Sequence, residues 1–150
     1  MRNSSGPSTT ASALAKHGFR FHHLGLAVKQ PQLAMTFLAG LGYAIGRTVR
    51  DERQNVNLLL CRRRGMPAVE IIYPTETPGP LAPILKGKAS SIYHICYETR
   101  SPDRVIKILM AQNRGVQLIS PPQPAILFKG RKVSFYVVAG FGLIELLERA

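Results

Sequence analysis

The sequence predicts an α+β fold in which two βαβββ modules pair and curl their sheets around a shared concavity. Three observations carry that prediction. First, the chain repeats itself. "FHHLGLAVKQP" and "IYHICYETRSP" each pass from apolar residues through a histidine into a strand-like run and a proline, and His23/His94 and Pro31/Pro102 share an offset of 71 residues. Second, a helical pattern follows each proline. Third, each half closes on a strand that carries a glutamate among aliphatic residues, "AVEIIYP" at Glu70 and "GLIELLE" at Glu145.

Taken in order, residues 1–18 are rich in Ser, Thr and Ala. They lack the apolar core of about 7–15 residues that a signal peptide needs, and they read as a disordered tail that includes His17. Module 19–78 opens on the strand with His23. The helix after Pro31 places Leu33, Phe37, Leu38 and Leu41 on one stripe, the mark of a helix packed on a core. Strands are expected over 42–50, 55–61 and 67–73. The linker "YPTETPGPLAPILKGKAS" contains Pro78, Pro80 and Pro83, which restrict 81–86 to a short helical turn. Module 90–150 opens on the strand with His94. Its helix, "SPDRVIKILMAQNRG", has Ser101 as N-cap, Pro102 in the first turn and Gly115 as its stop. Strands are expected over 116–120, 131–138 and 142–148. One βαβββ unit cannot bury its own sheet face, so the two should form a single domain over 19–150.

Composition narrows the function classes. The chain has 150 residues, 45% of them apolar and 19% charged, which suits one soluble globular domain. No apolar run approaches the roughly 18 residues of a membrane-spanning helix. Cys61 and Cys96 both lie in apolar runs, as buried reduced thiols of a cytoplasmic protein would. The net charge of +12 favours anionic partners. Its sources are scattered over Arg47, Arg50, Arg53, Arg62, Arg63, Arg64, Lys86, Lys88, Lys129, Arg131 and Lys132, with few aromatics between them. That pattern does not make a nucleic-acid surface. It leaves a solvated basic face or a rim for an anionic ligand.

The repeat singles out His23, Glu70, His94 and Glu145. Strand alternation puts His23 on one face with Phe21, Gly25 and Ala27, and the small residues leave room above that face. An unpaired carboxylate among aliphatics is costly and must be neutralised, paired or bound to a cation. Each residue alone is compatible with a hydrogen-bonded core histidine or a paired edge carboxylate. The His/Glu pair occurring twice, at equivalent places, points instead to one divalent ion such as zinc, nickel, cobalt or manganese. Glu76 and Glu98 have no repeat partner, and Glu148 is expected to be solvated.

In that order, "FHHLGLAV", "VEIIYP", "YHICYE" and "LIELLE" resemble the vicinal oxygen chelate superfamily over about residues 19–149. The superfamily includes glyoxalase I, methylmalonyl-CoA epimerase, extradiol dioxygenases and bleomycin-resistance proteins. The resemblance implies a glyoxalase-like fold with His23, Glu70, His94 and Glu145 as metal ligands. It implies an isomerase or epimerase-like enzyme that moves a proton next to the carbonyl of a small 2-oxo or acyl-thioester substrate. Glu145 is then the first candidate for the catalytic base and Glu70 the second. The alternatives are a glyoxalase I-type lactoylglutathione lyase, whose His/Glu/His/Glu order matches, and a non-catalytic binding protein of the same fold. Retention of four ligands argues against the binder, and a fourth carboxylate against a ring-cleaving oxygenase. The epimerase usually has Gln at the place of Glu70, and its second acid–base Glu aligns with Asn57, an amide that cannot take a proton from carbon. Expected partners are a small molecule, free or linked to coenzyme A or a carrier protein, met by Arg62–Arg64 and Lys129, Arg131 and Lys132, and a second copy in a homodimer.

Overall fold

The computed structural model describes residues 9–112 and 115–150. Its elements are α1 (Thr9–Lys16), β1 (Arg20–Val28), α2 (Gln32–Gly40), β2 (Ala44–Ile45), β3 (Val49–Asp51), β4 (Val56–Arg62), β5 (Ala68–Pro74), α3 (Leu81–Ile84), β6 (Ser90–Thr99), α4 (Pro102–Gln112), β7 (Val116–Pro124), β8 (Lys132–Val138) and β9 (Gly142–Glu148). The fold is mixed α+β, with one large curved sheet that does not close. Its strand order is β2-β4-β5-β1-β6-β9-β8-β7, with β3 also paired to β4.

The repeat is visible in the pairing. The opening strand of each half runs parallel to its closing strand, β1 to β5 and β6 to β9. The two opening strands then pair antiparallel, β1 to β6, and fuse the halves at the centre of the sheet. Parallel pairing requires a crossover, and α2 and the β2–β4 meander supply it in the first half. The repeat seen in the sequence thus places His23 and His94 on adjacent central strands, and Glu70 and Glu145 on the strands flanking them.

Alternation decides what each face buries. Ala27, Val56, Leu58 and Ile72 form a cluster with Leu81 and Leu85 of the linker. Leu59, Cys61 and Ile71 pack on the opposite side with Leu38 and Tyr43. In the second half Ile144, Leu146 and Tyr136 pack with Val105 of α4. Cys61 and Cys96 are both buried and unbridged.

Several expectations are corrected. The segment expected to be a disordered tail is helical over α1; residues 1–8 lie outside the described residues. Leu14 and Phe19 pack against the α4 cluster, and Phe19 stacks on Tyr97 at 4.8 Å. The His17 carbonyl accepts hydrogen bonds from Arg100 N and from Thr99 Oγ1. The α2 stripe buries only Leu38, while Leu33, Phe37 and Leu41 are exposed. The strand expected over 42–50 breaks into β2 and β3, which pair with β4 in registers one residue apart: Ala44 stands opposite Arg62 and Ile45 opposite Cys61, but Val49 opposite Leu58. The strand expected to stop at 120 continues to Pro124 through Pro121 and Pro122. β7 is an edge strand, where a missing N–H removes no ladder bond on its open side. Helix α4 ends at Gln112; residues 113–114 of that expected helix lie outside the described residues.

Candidate metal centre

All four repeat residues are brought together. His23, Glu70, His94 and Glu145 are buried, and one ligand atom from each lies within 4.8 Å of every other. His94 Nε2 stands 3.4 Å from His23 Nε2, 3.5 Å from Glu70 Oε2 and 3.2 Å from Glu145 Oε2. His23 Nε2 is 3.1 Å from Glu70 Oε2.

These spacings fit a common cation. Ligand atoms about 2.1 Å from an ion stand roughly 3.0–3.4 Å apart in octahedral or tetrahedral sets. The donors are two imidazoles and two carboxylates, a set suited to a first-row divalent ion. The electrostatics agree. Burial alone would lower the His94 pKa, but hydrogen bonds and charge from Glu145 and Glu70 outweigh it and raise it to about 9. Burial alone would raise the Glu70 carboxyl, yet the hydrogen bonds and charge of His23 and His94 bring it down. The cluster is therefore a place that holds positive charge.

Local backbone features aim these side chains. A Cβ on Gly25 would overlap the His94 ring, so the glycine opens the seat in which that imidazole lies. Tyr93 and Phe135 close the seat edge-on, with ring centroids at 4.6 and 5.6 Å. His94 Nδ1 has no hydrogen-bond partner among the described residues. Each central strand also carries a bulge. On β1 the register steps from Phe21 to His23 while β6 moves by one residue, and on β6 it steps from His94 to Ile92 while β1 moves by one. The extra residues are His22 and Tyr93. Both turn toward the site, and sequence alternation had concealed both.

Glu70, His94 and Glu145 line a cavity of about 170 Å³ together with Val56, Leu58, Ile72, Tyr93, Phe135 and Leu143, while His23 lies behind its wall, fully buried. A second hollow shares Gln54, Pro80, Val133, Phe135 and Leu143 with it and adds Arg53, whose Nη1 donates to Gln123 Oε1 at 3.1 Å. Burial, with the charges of Glu70 and Glu145, pushes the Tyr93 hydroxyl far up, so it stays protonated. Burial, His23 and the nearby arginines hold His22 down at about 4, despite the opposing charge of Glu98.

Other expected residues fall elsewhere. Asn57 lies outside the cavity lining and donates to the Pro74 carbonyl; β4 presents Val56 and Leu58 to the cavity instead. Arg62, Arg63 and Arg64 line a separate cleft with Phe21 and His22. Arg131 is engaged, donating to Glu98 Oε2 at 2.9 Å and to the Glu148 carbonyl at 2.8 Å. Lys129 lines an outer hollow with Arg50 and Arg53, and Lys132 opens β8 at an exposed position. Glu98, set aside in the sequence for want of a repeat partner, is a buried structural carboxylate held by Arg20 and Arg131. Glu76 is exposed and paired with Arg50, and Glu148 is half-buried.

A curved open sheet that carries a His on the first strand and a Glu on the last strand of each half, with all four converging, defines the class of fold. The family model for the glyoxalase/bleomycin resistance protein/dioxygenase superfamily matches residues 22–135, and the chain belongs to that superfamily. The chain is similar in fold to a hypothetical protein from Bacillus halodurans C-125, at 24% identity and TM-score 0.75, over 88% of this chain and 95% of that one. It is similar to methylmalonyl-CoA epimerase from Mycobacterium tuberculosis, at 21% identity and TM-score 0.73, over 87% of each chain. It is also similar to a Streptomyces coelicolor methylmalonyl-CoA epimerase variant in complex with 2-nitronate-propionyl-CoA, at 20% identity and TM-score 0.67, over 87% and 97%. No curated protein sequence matches the chain.

Proposed function

We propose that the protein is a metal-dependent enzyme, isomerase or epimerase-like, that moves a proton next to the carbonyl of a small 2-oxo or acyl-thioester substrate. The observation that carries this is the convergence of two imidazoles and two carboxylates, three of the four lining a largely apolar cavity. His23, Glu70, His94 and Glu145 would hold the ion. Once bound, a divalent cation polarises a carbonyl and lowers the pKa of the adjacent C–H. The remaining chemistry belongs to the chain. Glu145 takes the proton from carbon and returns it, with Glu70 as the second candidate. Val56, Leu58, Ile72 and Leu143 keep water off the reacting carbon. The Tyr93 hydroxyl, protonated on the cavity wall, can donate to a substrate oxygen.

The hollow beside the cavity gives a substrate tail a way out past Gln54 and Pro80 to Arg53. An anionic tail, such as the phosphates of coenzyme A or a carrier arm, would meet that arginine. A structural relative is described in complex with methylmalonyl-CoA, which supports a thioester substrate. Glu70, where the epimerase usually has Gln, favours a glyoxalase I-type lyase step as the second reading. A cytoplasmic homodimer completes the reading, supported for location by the two buried free thiols.

The test is a screen of 2-oxo compounds and acyl thioesters in heavy water with zinc-, nickel-, cobalt- or manganese-loaded protein. Deuterium should appear at the carbon next to the carbonyl. Stoichiometric metal with no exchange across both classes would leave a binding protein rather than an enzyme.

A further inference from the structure

Two neighbouring residues of a regular strand point to opposite faces. His22 and His23 do not, because the β1 bulge inserts His22 as the extra residue and re-aims it. Their Nδ1 atoms lie 2.8 Å apart. Both rings also meet Phe128, His22 edge-on at 5.4 Å and His23 stacked at 5.5 Å. The 3-10 turn Ile126–Phe128 places that phenyl over the pair.

A hydrogen bond between two ring nitrogens needs one proton and one lone pair. His23 turns Nε2 toward Glu70 and His94. To offer a lone pair there, its ring must carry the proton on Nδ1. The atom waiting for that proton is His22 Nδ1. Metal-bound histidines commonly donate their second N–H to a carboxylate, backbone carbonyl or water, which fixes tautomer and ring orientation; here the acceptor within reach is the His22 ring nitrogen. We propose that His22 is a positioning residue of the metal centre: it accepts the Nδ1–H of His23 and so holds the His23 Nε2 lone pair on the ion. The inference rests on the metal reading above.

The second half of the repeat shows that this is a property of His22 and not of the fold. Tyr93 stands at the equivalent bulge, 71 residues on, and meets His94 only ring edge to ring face. His94 Nδ1 is left with no acceptor. One imidazole is thus oriented by a hydrogen bond, the other by a steric seat.

The experiment compares wild type with His22→Phe and His22→Asn. Phenylalanine keeps a ring against Phe128 and removes the acceptor. Asparagine can place an amide oxygen close to where Nδ1 was. Zinc affinity is measured by competition with a chelating dye, thermal unfolding on metal-free samples, and the His23 tautomer by long-range proton–nitrogen correlation on zinc-loaded protein. H22F should lose about 10–100-fold in zinc affinity, with metal-free stability close to wild type. H22N should recover most of the loss. Wild-type His23 should carry its proton on Nδ1. Zinc binding by wild type with equal binding by H22F overturns the inference alone. Equal losses in H22F and H22N overturn it too, since bulk rather than the acceptor would then matter. Wild type that binds no zinc, nickel, cobalt or manganese overturns the metal reading and the inference with it. If H22F does not fold, H22N and the wild-type tautomer decide: coordination of His23 through Nδ1 refutes the assignment.

Discussion

Gly25→Ala tests the seat of His94, because two physical effects predict opposite signs. Alanine in a strand loses less backbone entropy on folding than glycine, a gain of roughly 0.5–1 kcal/mol. Gly25 has no left-handed backbone to forbid the change. Against this, the new methyl overlaps the His94 ring. Tyr93 and Phe135 abut the ring and its exposure is 3%, so it can yield only toward the cavity it lines, away from its place beside the other three residues. Overpacking of this kind costs about 1–3 kcal/mol. Expelling the imidazole also strips Glu70 and Glu145 of a shared partner, a loss on the order of 3 kcal/mol for a broken buried pair. The steric side wins, and we expect metal-free G25A to be less stable by about 3–5 kcal/mol, or about 6–20 °C in Tm for a domain of this size. Zinc affinity should fall about as far as in His94→Ala, since both remove the same ligand. In the His94→Ala background the methyl fills vacated space, so G25A should be neutral or stabilising there, with a coupling at least as large as its cost in wild type. Thermal unfolding of the four proteins reads that coupling. An unchanged Tm in G25A, or the same cost in both backgrounds, would refute the argument.

Three further outcomes follow from the same geometry. Glu145→Gln keeps a ligating oxygen but removes the base, so metal content should persist while solvent-deuterium exchange falls roughly 10²–10⁴-fold; near-wild-type exchange in metal-loaded protein would move the role to Glu70. Chelation should destabilise the protein: at a free ion concentration 100 times Kd the bound state gains about 2.7 kcal/mol, so removal should lower Tm by about 5–11 °C, and an unchanged Tm would count against a bound ion. Burial alone would raise the Glu98 carboxyl, but hydrogen bonds from Arg20 and Arg131 overturn that and lower it. A depressed folded-state pKa contributes stability above the unfolded value near 4.3 and loses it as pH falls through the folded value. Arg20 is 57% exposed and screened by solvent, so Glu98→Gln should cost only about 1–2 kcal/mol at pH 7. The Tm gap to wild type should close below about pH 4, and a gap independent of pH would show that packing, not charge, is at stake.

The fold was legible where one physical signal dominated. β9 occupies the residues that alternation assigned to it, Gly142–Glu148, because its aliphatic residues face two packed layers. Signals failed where the deciding partner is distant in sequence. α1 has no periodicity that announces it; it is held by Thr99, Arg100 and the α4 cluster, more than 80 residues away. The strand expected over 116–120 runs on through Pro121 and Pro122 because β7 lies at the sheet edge, which nothing local reveals. The α2 stripe read as a core face, yet most of it is exposed, because apolar spacing fixes what a helix can bury and not what stands opposite it.

The candidate site was half legible for a related reason. Four candidate ligand positions emerged because a repeat doubles every signal: the His and Pro pairs share an offset of 71, and each half ends on a strand with one Glu among aliphatic residues. The residues beside the ligands were lost to the same alternation that found them. Period two sends His22 and Tyr93 to the face opposite His23 and His94. The bulges that reverse this are set by the antiparallel register between β1 and β6, a tertiary fact with no local signature. The repeat did contain the clue, since His22 and Tyr93 are themselves 71 residues apart. Both halves therefore use the same backbone device to bring an aromatic ring against a ligand imidazole. The difference between them lies in one side chain: an imidazole can accept a proton-bearing bond from its neighbour, and a phenol held ring-edge to ring-face does not. The asymmetry of the centre, with His23 hydrogen-bonded and His94 sterically seated, follows from that substitution within an otherwise matched pair.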